Sequence, residues 1–389
     1  MSQEKYFCVP ADFKEETIDA FDDLNNEFPD SRVIEVYGNI TVGNSFESGR
    51  SIGFLPKIDF SRLEQYVKYA KTRNIDFNYT LNSPHMQNRE FTAKGILELT
   101  GYLETLYELG VDSLTVCLPS VLEIVKSIKY KFRVKSSVIC QIFNASKAMF
   151  YKDWGVERIV ADESITRDFR TIKEIIGSFG DKVELIVNPV CNKNCTYRMF
   201  HYNQIAGDSI VSENEASANY YEHRCFLFRH KNIGNLMRIA WIRPEDLHHY
   251  TDAGLRYFKL QGRDTLHKGD IVRATRHYFE GSYDGNLLDL LDIFGSNSSF
   301  AFHMDNKKLD GFIDQFVKNP DFCRNNCVKC GYCEGFGKKV LDPQAAQNVY
   351  DMASKFYGDY DHFNRIMKSV METKTSGDSG KKLDADFDL

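Results

Sequence analysis

The chain of 389 residues contains no run of roughly 18 consecutive apolar residues, so a membrane-spanning helix is not expected. Its first stretch, Met1 to Asp23, is rich in acids and lacks an apolar segment, and does not read as an export leader. There is no excess of positive charge either. The net charge of −6 and a pI near 6.0 give no whole-molecule attraction to nucleic acid or to anionic lipid. No HExxH segment and no Ser–His–Asp arrangement can be read from the sequence, so the familiar hydrolase signatures are missing. These absences point to a cytoplasmic protein. In that compartment ten cysteines are not expected to form a disulfide framework, and their spacing becomes the informative feature.

What is present is a weak repeat in which an amphipathic segment ends in glycine or asparagine and a short apolar strand follows. It occurs at Asn74, Gly110, Gly155, Gly180 and Gly254. These residue types tolerate the left-handed backbone that closes a helix. Upstream, Leu63, Tyr66, Val67 and Ala70 have helical spacing, as do Ile96, Leu99, Leu103 and Leu106 to within a residue. Eight strands are predicted: Arg32–Gly38, Ile75–Leu81, Val111–Leu118, Arg133–Ile142, Val156–Asp162, Val183–Pro189, Met237–Ile242 and Leu255–Leu260. Their apolar character predicts a parallel sheet covered on both faces. Eight such units match an α/β (β/α)8 TIM-like barrel, with a doubly wound open sheet as the alternative.

The cysteines fall into two groups. Cys191 and Cys195 follow the predicted sixth strand, and Cys225 lies in the same long connection; three thiolates there suit a soft metal or an iron–sulfur cluster. Cys323, Cys327, Cys330 and Cys333 crowd into one short segment around Gly331, which predicts metal binding, with a [4Fe-4S] cluster favoured over zinc by the short spacings. The solitary Cys117 and Cys140 sit in apolar runs and read as buried small hydrophobes. A barrel places its active site at the C-terminal ends of its strands. The polar residues expected there include Asn78, Asn188, Arg198, His201, Arg243, Glu245, Lys259 and Arg263. Their cationic members are candidate binders of an anionic substrate.

Several segments together resemble the collagenase-like peptidase family U32. They are Glu184 to Asn188 with Cys191, Cys195, Tyr197, Arg198 and His201; Tyr220 and Tyr221 to Cys225; Ile242 to Asp246; Phe258 and Lys259 to Gly262 and Arg263; and Tyr283 to Leu288. The resemblance spans most of residues 30–335 and implies a TIM-like barrel. Several members of that family carry a [4Fe-4S] cluster and act in oxygen-independent hydroxylation of ubiquinone precursors or RNA bases, with prephenate as the implied oxygen donor for some. This chain departs from the pattern in lacking a fourth cysteine between Cys225 and Cys323. Either Cys323 completes the first cluster or one iron is left open to substrate.

The expected organisation is a barrel over residues 1–300 with a cysteine-bearing insertion at 190–235. A cysteine-rich metal- or cluster-binding segment at 301–340, a helix at 341–372 and a disordered tail at 373–389 complete it. The leading expectation is an iron–sulfur oxidoreductase, hydroxylase-like or tailoring, with one or two [4Fe-4S] clusters and zinc as the alternative metal. Arg198, His201 and Glu245 are its candidate catalytic residues. Asn78, Asn188, Arg243, Lys259 and Arg263 would bind a small molecule or peptide, and an electron-donor protein or heteromeric partner is expected alongside. The alternatives are a U32-type peptidase and a non-catalytic metal-stabilised subunit.

Overall fold

In the computed structural model, residues 4–357 are described apart from 47, 51, 209–219 and 292–301, together with Lys368. Eight parallel strands follow one another round a closed barrel: β1 (Lys5–Pro10), β2 (Ser31–Gly38), β3 (Asp76–Leu81), β4 (Ser113–Val116), β5 (Arg133–Ser136), β6 (Arg158–Val160), β7 (Val183–Ile186) and β8 (Tyr257–Lys259). β8 pairs back onto β1, with Phe7 opposite Phe258. Helices return the chain between strands, and the expected stripes bury against the barrel. Leu63, Tyr66, Val67 and Ala70 are buried on helix Phe60–Thr72, and Leu99, Leu103 and Leu106 on helix Ala93–Glu108, whereas Ile96 stays exposed. Asn74 and Gly254 hold φ of 55° and 98°, the left-handed geometry expected where a helix hands over to a strand.

The barrel is as expected in class, but one observed strand is not among those predicted and one predicted strand is not observed. β1 was missed. Met237–Ile242 is not a strand: helix Ile233–Met237 runs into an extended stretch with a single antiparallel bridge, Ile239 to Asn192. The reason lies in its carbonyls. Arg167 Nη1 donates to Met237 O at 2.7 Å and Nη2 to Ile239 O at 2.7 Å, so a guanidinium takes the place of a neighbouring strand. Met237, Ile239, Trp241 and Ile242 are nonetheless buried, which gives the segment its strand-like pattern.

The expectation of strands apolar on both faces also needs correction. Phe77, Tyr79, Leu114 and Val134 face the helices and join the main core, but the alternate positions point into the lumen and are polar. Asn78 Nδ2 donates to Ser113 Oγ at 2.7 Å and Asn78 Oδ1 accepts from Thr115. Lys135 of β5 reaches across the lumen to Glu35 of β2 and to Glu184 of β7.

After β8 and helix Ile271–Glu280, an extension packs on the end of the barrel where the strands finish. Helix Tyr332–Val340 lies against helix Ile233–Met237, and a side chain at Gly337 would meet Ile233 Cγ2 at 2.7 Å, so only glycine allows that approach. Phe312, Phe316, Phe322, Tyr332 and Phe336 form an aromatic cluster beside Trp241. Helix Pro343–Tyr357 lies within the stretch expected to be helical at 341–372; the rest of that stretch apart from Lys368, and the expected tail at 373–389, lie outside the described residues.

Candidate active site

Inside the barrel, charges are stacked in two levels. The lower level holds Glu35, Glu184, Lys135 and Arg158, all on lumen-facing positions. Arg158 Nη1 is 3.5 Å from both carboxylates, and Cys8 Sγ donates to Glu184 Oε2 at 3.0 Å. Burial alone would push the Glu35 carboxyl up, but Lys135 and Arg158 outweigh it and hold it at about 2. Cys8, Glu35 and Glu184 bring potential ligand atoms within 4.8 Å of one another. Two cations already sit on that trio, so a metal ion would meet positive charge, and this level reads as a structural ion network.

The upper level opens at the strand ends. Tyr37, Arg50, Thr80, Thr115, Lys259 and Arg263 line a cavity of about 40 Å³ there. Lys259 Nζ lies 3.8 Å from the centre of the Tyr37 ring and 4.0 Å from Glu184 Oε1. Burial, reinforced by Lys135, lowers its pKa to about 8. Arg263 is buried and donates to Asn39 and Thr80, with no carboxylate within ion-pair distance among the described residues. Burial and the neighbouring Arg50 lower it to about 10. Arg50 Nε pairs with Asp264 Oδ1 at 3.3 Å. Three cations therefore face this cavity, with Asp264 beside Arg50 and Glu184 beside Lys259.

Beside it lie the first cysteines. Cys191 follows β7 at the C-terminal end, Cys195 precedes helix Arg198–Asp208, and Cys225 lies on helix Tyr220–His230. A hydrogen bond from Cys225 brings Cys195 down to about 6 against the effect of burial, helped by the backbone N–H groups of Tyr197 and Arg198. Cys191 is close enough to act on the charge of both Cys225 and Arg198. Sequence separation between Cys195 and Cys225 is thus closed by the fold.

The other expected site residues divide. Arg198 is clamped, with Nη1 2.7 Å from Asp162 Oδ2 and 2.9 Å from Glu163 Oε2, and Nη2 donating to Asn192 O at 3.1 Å. It positions the cysteine loop on the end of β6. His201 is shifted down to about 4 by burial and by Arg50 and Arg229, so it is neutral at ordinary pH. Asn78 is spent inside the lumen, and Asn188 ties β7 to β8 by accepting from Gln261 N at 2.7 Å and donating to Gln261 O. Arg243 chelates Asp246 and reaches Asp310, while Glu245 accepts from Asn306, Tyr283 N and Lys307. Both residues fasten Tyr283, Asn306 and Asp310 to the barrel and are not brought to the cysteines. Arg50 and Tyr202, which complete the cavity, escaped the sequence reading: Arg50 sits on a long loop after β2 with no motif around it.

Cys323, Cys327, Cys330 and Cys333 line a separate cavity of about 270 Å³ in the extension. Among the described residues, no helix is long and apolar enough to cross a membrane.

The model of peptidase family U32 matches residues 55–188, ending just before Cys191. A protein of Methanocaldococcus jannaschii named Uncharacterized protease MJ1657 is 30% identical over 295 residues, which is 76% of this chain and 85% of that protein. The solved U32 peptidase Mk0906 covers 67% of this chain and 93% of its own at 14% identity, with a TM-score of 0.48. With that identity and coverage to the Methanocaldococcus jannaschii protein, the chain belongs to peptidase family U32.

Proposed function

We propose that this chain is an enzyme in which Cys191, Cys195 and Cys225 hold an iron–sulfur cluster at the barrel mouth, beside a pocket for an anionic small molecule or peptide. The observation that carries the reading is the meeting of three thiols from distant segments at the strand ends, next to a cavity lined by Arg50, Lys259 and Arg263. The donor set fits. Three thiols gathered at one barrel mouth are soft ligands of the kind an iron–sulfur cluster takes. When bound, the cluster would supply one-electron transfer or Lewis-acid activation. The chain's own residues would do the rest. Arg263 and Lys259 offer donors and charge to a carboxylate or phosphate, Arg198 keeps the cysteine loop on Asp162 and Glu163, and Tyr202 and Ile139 shield the cavity.

A second reading is a peptidase, supported by the family and by the name of the Methanocaldococcus jannaschii relative. Its nucleophile would be Cys195, whose thiol is the one lowered to about 6. It needs a base, and the candidate is His201, a neutral imidazole on the helix Arg198–Asp208 that follows Cys195. Anaerobic purification with iron and sulfide counts, beside a peptide-hydrolysis assay, tests both. Iron and acid-labile sulfide that fall in Cys195→Ala support the cluster. Iron-free protein whose peptide hydrolysis is abolished by Cys195→Ala would replace it with the peptidase.

A further inference from the structure

The extension presents four thiols that the barrel-mouth reading does not use. Cys323, Cys327, Cys330 and Cys333 all face one cavity of about 270 Å³. The chain turns sharply to bring them there: the short helix Cys327–Cys330 ends at Gly331 with φ 64°, and helix Tyr332–Val340 starts directly after it, carrying Cys333 back towards Cys323. Cys323 and Cys327 both act on the charge of Cys333, so the group is mutually near. Yet no three of these sulfurs lie within 4.8 Å of one another among the described residues. A tetrahedral zinc site would need them at roughly 3.8 Å. Four thiols held apart around an open volume match a larger inorganic core.

The surrounding charge points the same way. Arg167 is buried, donates only to the backbone carbonyls of Met237, Ile239 and Trp241, and has no carboxylate within ion-pair distance among the described residues. Cys333 and Cys323 are among the groups that act on its charge. Arg238 lines the cavity, and Lys193 Nζ lies 3.5 Å from Cys323 Sγ. A buried guanidinium without an anion is costly, and an anionic centre bound by thiolates would supply the missing counter-charge.

We infer that Cys323, Cys327, Cys330 and Cys333 hold a [4Fe-4S] cluster of their own, separate from the centre at the barrel mouth. It lies at the surface, where Cys330 is exposed and Val328 is 98% exposed, so a one-electron donor protein can approach it. In its redox step the donor loses one electron and the cluster gains it, with no bond made or broken. Lys193, which contacts Cys323, sits between Cys191 and Cys195 in the chain, so the two centres are neighbours. Passage of the electron onward to the barrel mouth rests on the function proposed above; the site itself does not.

The test is anaerobic reconstitution with iron and sulfide, followed by metal analysis and electron paramagnetic resonance of the reduced protein. The wild type should hold about eight irons, and Cys327→Ser with Cys330→Ser about four, with one of two reduced-cluster signals gone. Cys195→Ala should remove the other signal. A double serine variant that keeps the full iron count overturns the inference and leaves the barrel-mouth reading intact. Iron lost in the double serine variant alone, and unaffected by Cys195→Ala, does the reverse. Alkylation of the wild type with iodoacetamide provides a check that needs no variant. Cys327, Cys330 and Cys333 should be protected in the iron-loaded protein and modified once iron is stripped. Rapid modification of Cys330 in loaded protein, or stoichiometric zinc without sulfide, overturns the inference.

Discussion

Lys135 and Lys259 are both buried lysines facing the lumen of the same barrel, on β5 and β8. Lys135 lies between two carboxylates, bonded to Glu35 and 3.4 Å from Glu184. Burial would lower its pKa, but Cys8, Glu184 and Glu35 outweigh that and raise it. Lys259 has only a 4.0 Å approach to Glu184 and the face of Tyr37, and its pKa falls to about 8. The lower level contains two carboxylates, Glu35 and Glu184, for two cations, Lys135 and Arg158. Lys259 is then a surplus charge, and it is the one that lines the mouth. A buried charge matched within the protein belongs to the fold; one left unmatched beside a cavity is set for a ligand.

The largest effect expected from this contrast is on stability. Lys135→Met leaves Glu35 and Glu184 close together with Arg158, and the more distant Lys259, to hold them. Breaking a buried ionic network in this way costs about 3–5 kcal/mol. Urea unfolding at pH 7 would read it; a loss under about 1 kcal/mol would mean the lower level is not what holds the barrel.

Lys259→Met is expected to behave differently. Removing a surplus buried cation should change stability by no more than about 1 kcal/mol and can raise it. Binding of an anionic probe such as inorganic phosphate should weaken about tenfold, which is about 1.4 kcal/mol. The pH dependence gives an independent reading. The folded pKa of about 8 lies below the ordinary 10.5, so between these values the unfolded chain holds more protons than the folded one. Stability of the wild type should therefore rise with pH through that window, and the rise should be absent in Lys259→Met. If phosphate binding and the alkaline rise both survive the substitution, the contrast between the two lysines fails.

His201 provides a smaller test at the acid end. Its folded pKa of about 4 lies below the ordinary 6.5, so the unfolded chain again binds more protons in between. The stability tied to neutral His201 is present above about 6.5 and is lost as pH falls towards 4. His201→Leu should match the wild type at pH 7 and lose less on acidification. Unfolding midpoints measured across that range would show it, and identical acid limbs would place another group in control.

Much of this was legible in the sequence, and the failures have physical causes. Helix-closing residues such as Asn74 and Gly254 announced the repeat because backbone geometry restricts what fits there. The barrel's first strand, KYFCVP, lies outside the repeat, since no helix-closing glycine or asparagine precedes it. Met237–Ile242 carries a strand's burial pattern with only one antiparallel bridge, and Arg167 caps two of its carbonyls from a distant point in the chain. Cysteine spacing placed both thiol groups, but the roles of Arg243 and Glu245 could not be read, because their partners Asp310 and Asn306 are brought close only by folding. Arg50 was invisible for the same reason: it reaches the mouth from a loop, and only the closed barrel shows what it faces.

The smallest effect separates two arginines three residues apart. Arg167 is buried beside the extension's thiols, whereas Arg170, at the start of helix Phe169–Phe179, forms an exposed pair with Asp321, 2.6 Å away. Both join the barrel to the cysteine-bearing segment. An ion pair between half-exposed side chains gains little over its hydrated partners and is screened by salt, so Arg170→Ala should cost at most about 1 kcal/mol. Its iron content should equal that of the wild type, because the aromatic cluster of Phe312, Phe316 and Tyr332 holds the extension in place without it. Thermal unfolding at low and high salt, with an iron count on the same samples, measures both. A variant that loses iron at low salt would show that the extension hangs on its surface contacts. The contrast between buried and exposed charge would then not extend beyond the barrel.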